Sequence, residues 1–187
     1  MPASSAPARP QTYVIGLGSN LGDRASYLAR GAEAVLALPG VRVLGLSSVY
    51  ETEAVGVGPV QPDYLNAAVS LSVEGALVGE ALLDALLAIE RAEGRVRDVR
   101  HGPRTLDLDV LWSTRPESSS RLRVPHPALC ERTFALAPLL EVAPELSADQ
   151  RTFFRAEAYL AIPAITDAEE LGWLRETYAR LVEDEAG

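Results

Sequence analysis

The chain of 187 residues contains no lysine, and all 17 of its basic residues are arginine. A Walker-type phosphate loop ends in a lysine that reaches the phosphates, so this sequence excludes that motif. Schiff-base chemistry also requires a lysine amine and is excluded. Any side-chain cation that binds an anionic ligand here must therefore be an arginine or a histidine.

Other features are scarce or absent as well. The single cysteine, Cys130, excludes an intramolecular disulfide and fits a reducing compartment. No run approaches the roughly 18 apolar residues of a membrane-spanning helix, and the first residues lack the apolar core of a signal peptide. The net charge of −9 argues against general nucleic-acid binding. We therefore predict a cytoplasmic protein with no membrane or nucleic-acid partner.

Hydrophobic periodicity and turn residues predict an alternation of strands and helices. The predicted core elements are strand 13–17, helix 24–38, strand 41–51, strand 64–73, helix 79–93 and strand 106–112. A polar loop at 113–120 and a short strand at 121–124 follow. The order βαββαβ predicts an α+β, ferredoxin-like sandwich, in which two helices cover one face of an antiparallel sheet.

The two ends of the chain differ in composition from this core. Residues 1–11 are rich in Ala, Ser and Pro and predict a disordered leader, so we place the domain at 12–145. Residues 145–187 hold ten acidic residues and four arginines. Thr166 and Glu169 form a capping-box pattern before an apolar stripe at helical spacing. We therefore predict an acidic helical extension at 146–187, and we infer no obligate protein partner.

The strongest chemical signal is the sequence RTLDLDVLW at 104–112. Side chains on a strand alternate between its faces, so Asp107 and Asp109 share the face opposite Leu108. Two adjacent carboxylates repel each other unless a cation lies between them, and Mg²⁺ is typically held by one or two carboxylates together with substrate phosphates. The alternative is a half-exposed strand whose outer face is merely acidic.

The segment just before this strand is rich in arginine. Five arginines fall within residues 91–104, against two acidic residues, in a chain that is acidic overall. Arginine suits bidentate contacts with phosphate. An arginine-rich loop beside a carboxylate pair supplies what phosphoryl transfer requires, which is positioning and charge neutralisation. The alternative is a solvated run of surface charge.

Three weaker signals involve aromatic and polar side chains. Tyr64 and Asn66 share one strand face, where a ring and a carboxamide could stack on a flat heterocycle and bind its edge. His126 lies between two prolines that hold it in an extended segment. Phe134 follows shortly afterwards. Taken alone, each of these residues is better explained by an ordinary structural position at the surface or in the core.

Five ordered blocks between residues 13 and 144 resemble the 6-hydroxymethyl-7,8-dihydropterin pyrophosphokinases of folate biosynthesis. The blocks are GSNLG at 18–22, QPDYLNAA at 61–68, GRVR at 94–97, GPRTLDLD at 102–109 and VPH at 124–126. The resemblance implies a ferredoxin-like α/β sandwich. It also implies transfer of the β,γ-diphosphate of ATP to the hydroxymethyl oxygen of the pterin, with release of AMP.

The resemblance further implies a role for individual residues. Asp107 and Asp109 are expected to bind two Mg²⁺ ions, and Arg95 and Arg104 to neutralise charge on the transferring group. The residues expected to bind ATP are Glu90, Arg97, Arg100, His126 and Arg132. The residues expected to bind the pterin are Thr52, Val55, Tyr64, Asn66 and Phe134.

Two other classes of function remain open from the sequence. Ferredoxin-like folds also serve as non-catalytic modules that bind small molecules, because a fold does not determine a function. An interaction protein that uses its acidic extension is the other class. Neither class requires the combination of Asp107, Asp109, Arg95 and Arg104.

Overall fold

The structure is a computed structural model that describes residues 10–54, 61–95, 102–129 and 132–143. The greater part of the predicted leader and all of the predicted extension lie outside these ranges. So do Val55, Arg97 and Arg100. Among the described residues, no helix has the length and apolar character needed to cross a membrane.

The described chain forms one main sheet, one small sheet and three helices. The elements are β1 Gln11–Ser19, α1 Arg24–Leu36, β2 Val41–Leu46, β3 Tyr50–Thr52, β4 Tyr64–Val73, α2 Glu80–Ala92, β5 Asp107–Ser113, β6 Glu117–Ser118, β7 Arg123–Val124 and α3 Thr133–Val142. The main sheet has the order β2-β4-β1-β5, with β3 also paired to β4. All of its pairings are antiparallel. The predicted ferredoxin-like order is thus confirmed.

Period-two alternation along β1 explains how the two faces of this sheet are covered. Tyr13, Ile15 and Leu17 belong to the core that packs beneath α1 and α2. Val14 lies on the opposite face, in a second apolar cluster built around α3. The molecule therefore has three layers, with helices on both sides of the sheet.

Helix α3 was not predicted, whereas the two predicted helices, α1 and α2, do cover one face of the sheet. The segment 133–142 is apolar nearly throughout and contains Pro138, so it shows no clear amphipathic period. It packs on the sheet through Leu136 and Leu139, which are completely buried. Glu141 then binds the adjacent loop, accepting hydrogen bonds from the Ser48 N–H at 2.8 Å and from the Tyr50 hydroxyl.

Three predicted boundaries also need correction. The single strand predicted at 41–51 is two strands, β2 and β3, separated at residues 47–49. There Ser47 turns its hydroxyl to the sheet and accepts the Ala68 N–H at 2.8 Å. The polar loop predicted at 113–120 contains β6, which pairs with β7. Gln11, assigned above to the leader, is a buried residue of β1.

Close contact between α1 and Leu106 gives a first prediction. A β-carbon at Gly31 would lie 2.8 Å from both Cδ atoms of the buried Leu106. Alanine favours a helix interior over glycine by about 1 kcal/mol, but overpacking a core costs about 1–3 kcal/mol. We therefore expect Gly31→Ala to lower the free energy of unfolding by about 1 kcal/mol, measured by urea denaturation.

The control is Glu33→Ala, on the exposed side of the same helix. This change should alter the free energy of unfolding by less than about 0.5 kcal/mol. A more stable Gly31→Ala protein would show that Leu106 has room to move away.

Candidate active site

The carboxylate pair lies on β5 as the alternation predicts. Leu106, Leu108 and Val110 are buried in the core under α1 and α2. Asp107 and Asp109 line a cavity on the other side of the sheet. The division of this strand into an apolar face and a carboxylate face is therefore confirmed.

Two glycines on β1 leave the carboxylates open to this cavity. Gly18 is paired with Asp107 and Gly16 with Asp109 in the β1–β5 register. A β-carbon at Gly18 would lie 3.4 Å from Asn66 Oδ1 and 3.8 Å from the Asp107 Cβ. Because glycine has no side chain, no β1 side chain fills the space between the carboxylates and Asn66.

The cavity has a volume of about 320 Å³. Among the residues that line it are eight of those singled out in the sequence. They are Thr52, Tyr64, Asn66, Arg104, Asp107, Asp109, Arg132 and Phe134. The fold thus brings residues up to 82 positions apart in the sequence to one space.

Asp107 is held by two arginines. Its Oδ1 accepts a hydrogen bond from Arg95 at 2.5 Å, and its Oδ2 accepts one from Arg104. Gly94, with φ of 76°, ends α2 and turns the chain so that the Arg95 N–H reaches the Glu90 carbonyl at 3.0 Å. The turn at Gly94 thereby places Arg95 beside Asp107.

Glu90 does not line the cavity, although it was expected to bind ATP. Its side chain is buried between α2 and β5, where its Oε1 accepts hydrogen bonds from Arg95 and from the Leu108 N–H at 2.9 Å. The structure thus places this carboxylate behind Arg95. A direct contact with ATP stays a prediction.

Asp109 is less well neutralised than Asp107. Within the described part of the chain it forms an ion pair with Arg132, at 3.3 Å. Although 39% of its side chain is exposed toward the cavity, enclosure by protein atoms and the negative charge of Asp107 raise the pKa of Asp109 to about 6. A bound cation would lower the free energy of the ionised Asp109 carboxylate.

Aromatic side chains and a carboxamide line one end of the cavity. Tyr64 and Phe134 are both half-buried there, and desolvation raises the pKa of the Tyr64 hydroxyl, so it stays protonated at neutral pH. Asn66 donates its amide N–H to Thr52 Oγ1 at 2.9 Å. This bond fixes the amide so that its Oδ1 faces Gly18.

His126 and Arg132 lie near the carboxylate end. The Nδ1 of His126 accepts the Ala128 N–H at 3.2 Å, and its own backbone N–H binds the Leu111 carbonyl at 2.9 Å. Desolvation, helped by the positive charge of Arg132, lowers the pKa of His126, so the ring is neutral at pH 7. The Arg132 guanidinium also lies 5.9 Å from the centroid of Phe134.

Asn20, for which the sequence predicted no role, links two segments that contribute residues to the lining of this cavity. Its carboxamide bonds to the Arg104 backbone on one side and to residues 61–62 on the other. The signal was present in the GSNLG block. A buried asparagine after a strand is common, however, and its partners lie 41 to 84 residues away.

The donor set suits a cation that takes part of its coordination shell from substrate or water. Within the four described ranges, no group of three or more His, Cys, Asp or Glu side chains is arranged to hold a metal ion. Two carboxylates that share a cavity match Mg²⁺, which keeps several waters and binds substrate phosphates. They do not match a closed structural zinc site.

Comparison with known proteins settles the family. A family model described as 7,8-dihydro-6-hydroxymethylpterin-pyrophosphokinase (HPPK) matches residues 14–144. The chain belongs to the HPPK family. The match contains the carboxylate pair, both arginines that bind Asp107, and the aromatic end of the cavity.

Curated relatives carry the same enzyme name, 2-amino-4-hydroxy-6-hydroxymethyldihydropteridine pyrophosphokinase. The relative from Methylorubrum extorquens is 44% identical over 147 residues, which cover 78% of this chain and 91% of the relative. The relative from Bacillus subtilis is 42% identical over 133 residues, which cover 71% and 78%. The HPPK assignment thus holds over most of both lengths.

Two solved structures support the fold. One is a crystal structure of an HPPK-DHPS in complex with substrates, with a TM-score of 0.55 over 81% of this chain. The other is HPPK-DHPS of Plasmodium falciparum, with a TM-score of 0.57 over 83%. Both are 12% identical, and the HPPK chain described here covers 43% and 45% of their lengths. They show a shared fold.

The raised pKa of Asp109 predicts how stability depends on pH in metal-free protein. Between its ordinary value of 3.8 and about 6, the folded state keeps a proton that the unfolded state releases. The wild-type protein therefore loses stability as pH rises through this window. Asparagine carries no charge, so Asp109→Asn should gain Tm relative to wild type between pH 4 and pH 7, measured by thermal unfolding in a chelator.

Asp84→Asn is the matched control. Its hydrogen bond from Arg121 lowers the pKa of Asp84, so the ionised form stabilises the folded state. Asp84→Asn should have a lower Tm than wild type by a nearly constant amount across pH 4–7, because a lowered pKa makes stability vary with pH chiefly below the ordinary value of 3.8. A Tm difference that does not vary with pH in Asp109→Asn would contradict the raised pKa of Asp109.

Proposed function

We propose that the chain transfers the β,γ-diphosphate of ATP to the hydroxymethyl oxygen of 6-hydroxymethyl-7,8-dihydropterin and releases AMP. Membership of the HPPK family supports this reaction. The observation that carries the proposal is a single cavity in which Asp107, Asp109 and Arg104 meet Tyr64 and Asn66. A phosphate-binding end and an end suited to a flat heterocycle are thereby joined.

Asp107 and Asp109 would hold the Mg²⁺, and we propose two ions, as the family resemblance implies. Bound Mg²⁺ would neutralise phosphate charge and help to align the triphosphate with the hydroxymethyl group. Asp109 is the more exposed of the two carboxylates and has the weaker arginine partner. Its oxygens are therefore the more available to an incoming cation.

The arginines would carry the remaining neutralisation. Arg95 and Arg104 both bind Asp107; Arg104 lines the cavity, and Arg95 lies behind Asp107 outside the lining. A guanidinium has five N–H donors in a planar fork, so each arginine has donors left for phosphate oxygens. We propose that these two residues stabilise charge on the transferring diphosphate. Glu90 would act through Arg95, which it holds in place.

Further contacts with ATP are proposed for four residues. His126, neutral at pH 7, and Arg132 lie beside the carboxylates and would bind the nucleotide. We also propose ATP contacts for Arg97 and Arg100, on the resemblance alone.

The pterin would bind at the aromatic end. Tyr64 and Phe134 would stack on the heterocycle, while Asn66 and Thr52 would bind its polar edge. The Asn66 amide is already held by Thr52, so its Oδ1 is pre-oriented toward the cavity. Val55 stays a predicted backbone contact. Cytoplasmic location and the lack of an obligate protein partner also stay predictions.

The product of ATP cleavage tests the reaction. Purified protein with the hydroxymethyl dihydropterin and Mg-ATP should release AMP and form pterin diphosphate. Asp107→Ala and Asp109→Ala should each lower kcat by about 10²–10³-fold or more, since each removes charge stabilisation at the reacting group. Chromatography of the nucleotides gives the rates.

Asp84→Ala is the control, because this exposed carboxylate pairs with Arg121 on the surface and is not among the residues lining the cavity. It should keep full activity. Release of ADP, or no turnover by the wild type, would contradict the proposed reaction. Tight pterin binding without ATP and without turnover would instead favour a non-catalytic binding module.

A further inference from the structure

Asn20 follows β1 directly and is 1% exposed. Its side chain has one acceptor oxygen and one amide nitrogen with two donor hydrogens. In this protein the oxygen and both donors have partners. Since unpaired buried polar groups are costly, the local structure depends on these partners staying in place.

The first set of contacts holds the backbone of Arg104. The Asn20 Oδ1 accepts the Arg104 N–H at 2.7 Å, and the Asn20 backbone N–H donates to the Arg104 carbonyl at 3.1 Å. Both polar backbone groups of Arg104 are therefore bound by one residue. The side chain of Arg104 then starts from a fixed point and reaches Asp107.

The second set holds the segment that leads into β4. The Asn20 Nδ2 donates to Gln61 Oε1 at 3.0 Å and to the Pro62 carbonyl at 3.1 Å. Two residues later the chain enters β4 at Tyr64, on the aromatic wall of the cavity. Arg24 also binds this segment, through the Asp63 carbonyl at 2.7 Å.

We propose that Asn20 is a positioning residue that sets the distance between two walls of the active site. One is the arginine wall, which carries Arg104, and the other is the aromatic wall, which carries Tyr64. The inference rests on the proposed function. Diphosphate transfer requires the pterin hydroxyl and the triphosphate to be in line, and a misplacement of about 1 Å costs about 10²-fold in rate. Asn20 touches neither substrate in this scheme and acts through Arg104 and the 61–63 segment.

Two substitutions separate the two halves of this role. Asn20→Ala removes all three side-chain bonds. Asn20→Asp, studied at pH 8, keeps an acceptor for the Arg104 N–H but has no donor for Gln61 or Pro62. Asp23→Ala is the control for stability, because it removes the cap that accepts the Ser26 N–H in α1 and leaves the contacts of Asn20 intact.

Steady-state kinetics should distinguish the variants. Asn20→Ala is expected to lower kcat by about 10²-fold and to raise the KM for the dihydropterin by about tenfold. Asn20→Asp should keep kcat within about threefold of wild type while its pterin KM rises about tenfold. The reason is that this variant loses only the bonds to Gln61 and Pro62, which precede Tyr64. Asp23→Ala should change neither constant.

Amide hydrogen exchange of Arg104, followed by NMR in the full chain, gives a readout that does not depend on turnover. The Arg104 N–H should exchange at least about tenfold faster in Asn20→Ala and at the wild-type rate in Asn20→Asp. If Asn20→Ala fails to fold, the KM shift and retained protection of Asn20→Asp decide the question.

Three results would overturn the inference. One is unchanged kcat and unchanged Arg104 protection in Asn20→Ala. Another is a fall in kcat without a change in KM in both variants, in proportion to lost stability. The third is loss of Arg104 protection in Asn20→Asp. If the wild type releases no AMP, the proposed function fails, and the Arg104 exchange rates then decide the inference alone.

Discussion

Electrostatic repulsion between Asp107 and Asp109 is the constraint on which this site depends. Their strand must bury Leu108 on the core side, so alternation forces both carboxylates to the same face. No opposing side chain separates them, since glycines face them on β1. Cations offset part of this repulsion, and desolvation together with the remaining repulsion raises the pKa of Asp109.

Because the chain has no lysine, these cations are all arginines. Arg95, Arg104 and Arg132 each form an ion pair with one of the two carboxylates. A planar guanidinium can hold a carboxylate and still offer donors to a second anion. The cavity is therefore prepared for a polyanion in a protein whose overall charge is −9.

The elements with clear periodicity could be predicted from the sequence, and those defined by distant contacts could not. The alternation at 106–110 and the helical periodicity of α1 and α2 are local, so these elements could be predicted from their own residues. Helix α3 is apolar on nearly all of its faces. Its packing is therefore determined by the face of the sheet opposite α1 and α2, and not by a pattern in its own sequence. The link from Asn20 to Arg104 spans 84 residues and leaves no local pattern.

Glu90 shows how the helix layer and the cavity are coupled. Strand β5 lies at the edge of the sheet, so the Leu108 N–H, between the two aspartates, has no strand to bind. Glu90 accepts that N–H at 2.9 Å and also holds Arg95. A single buried carboxylate on α2 therefore fixes the backbone that carries the aspartates and the arginine that neutralises one of them.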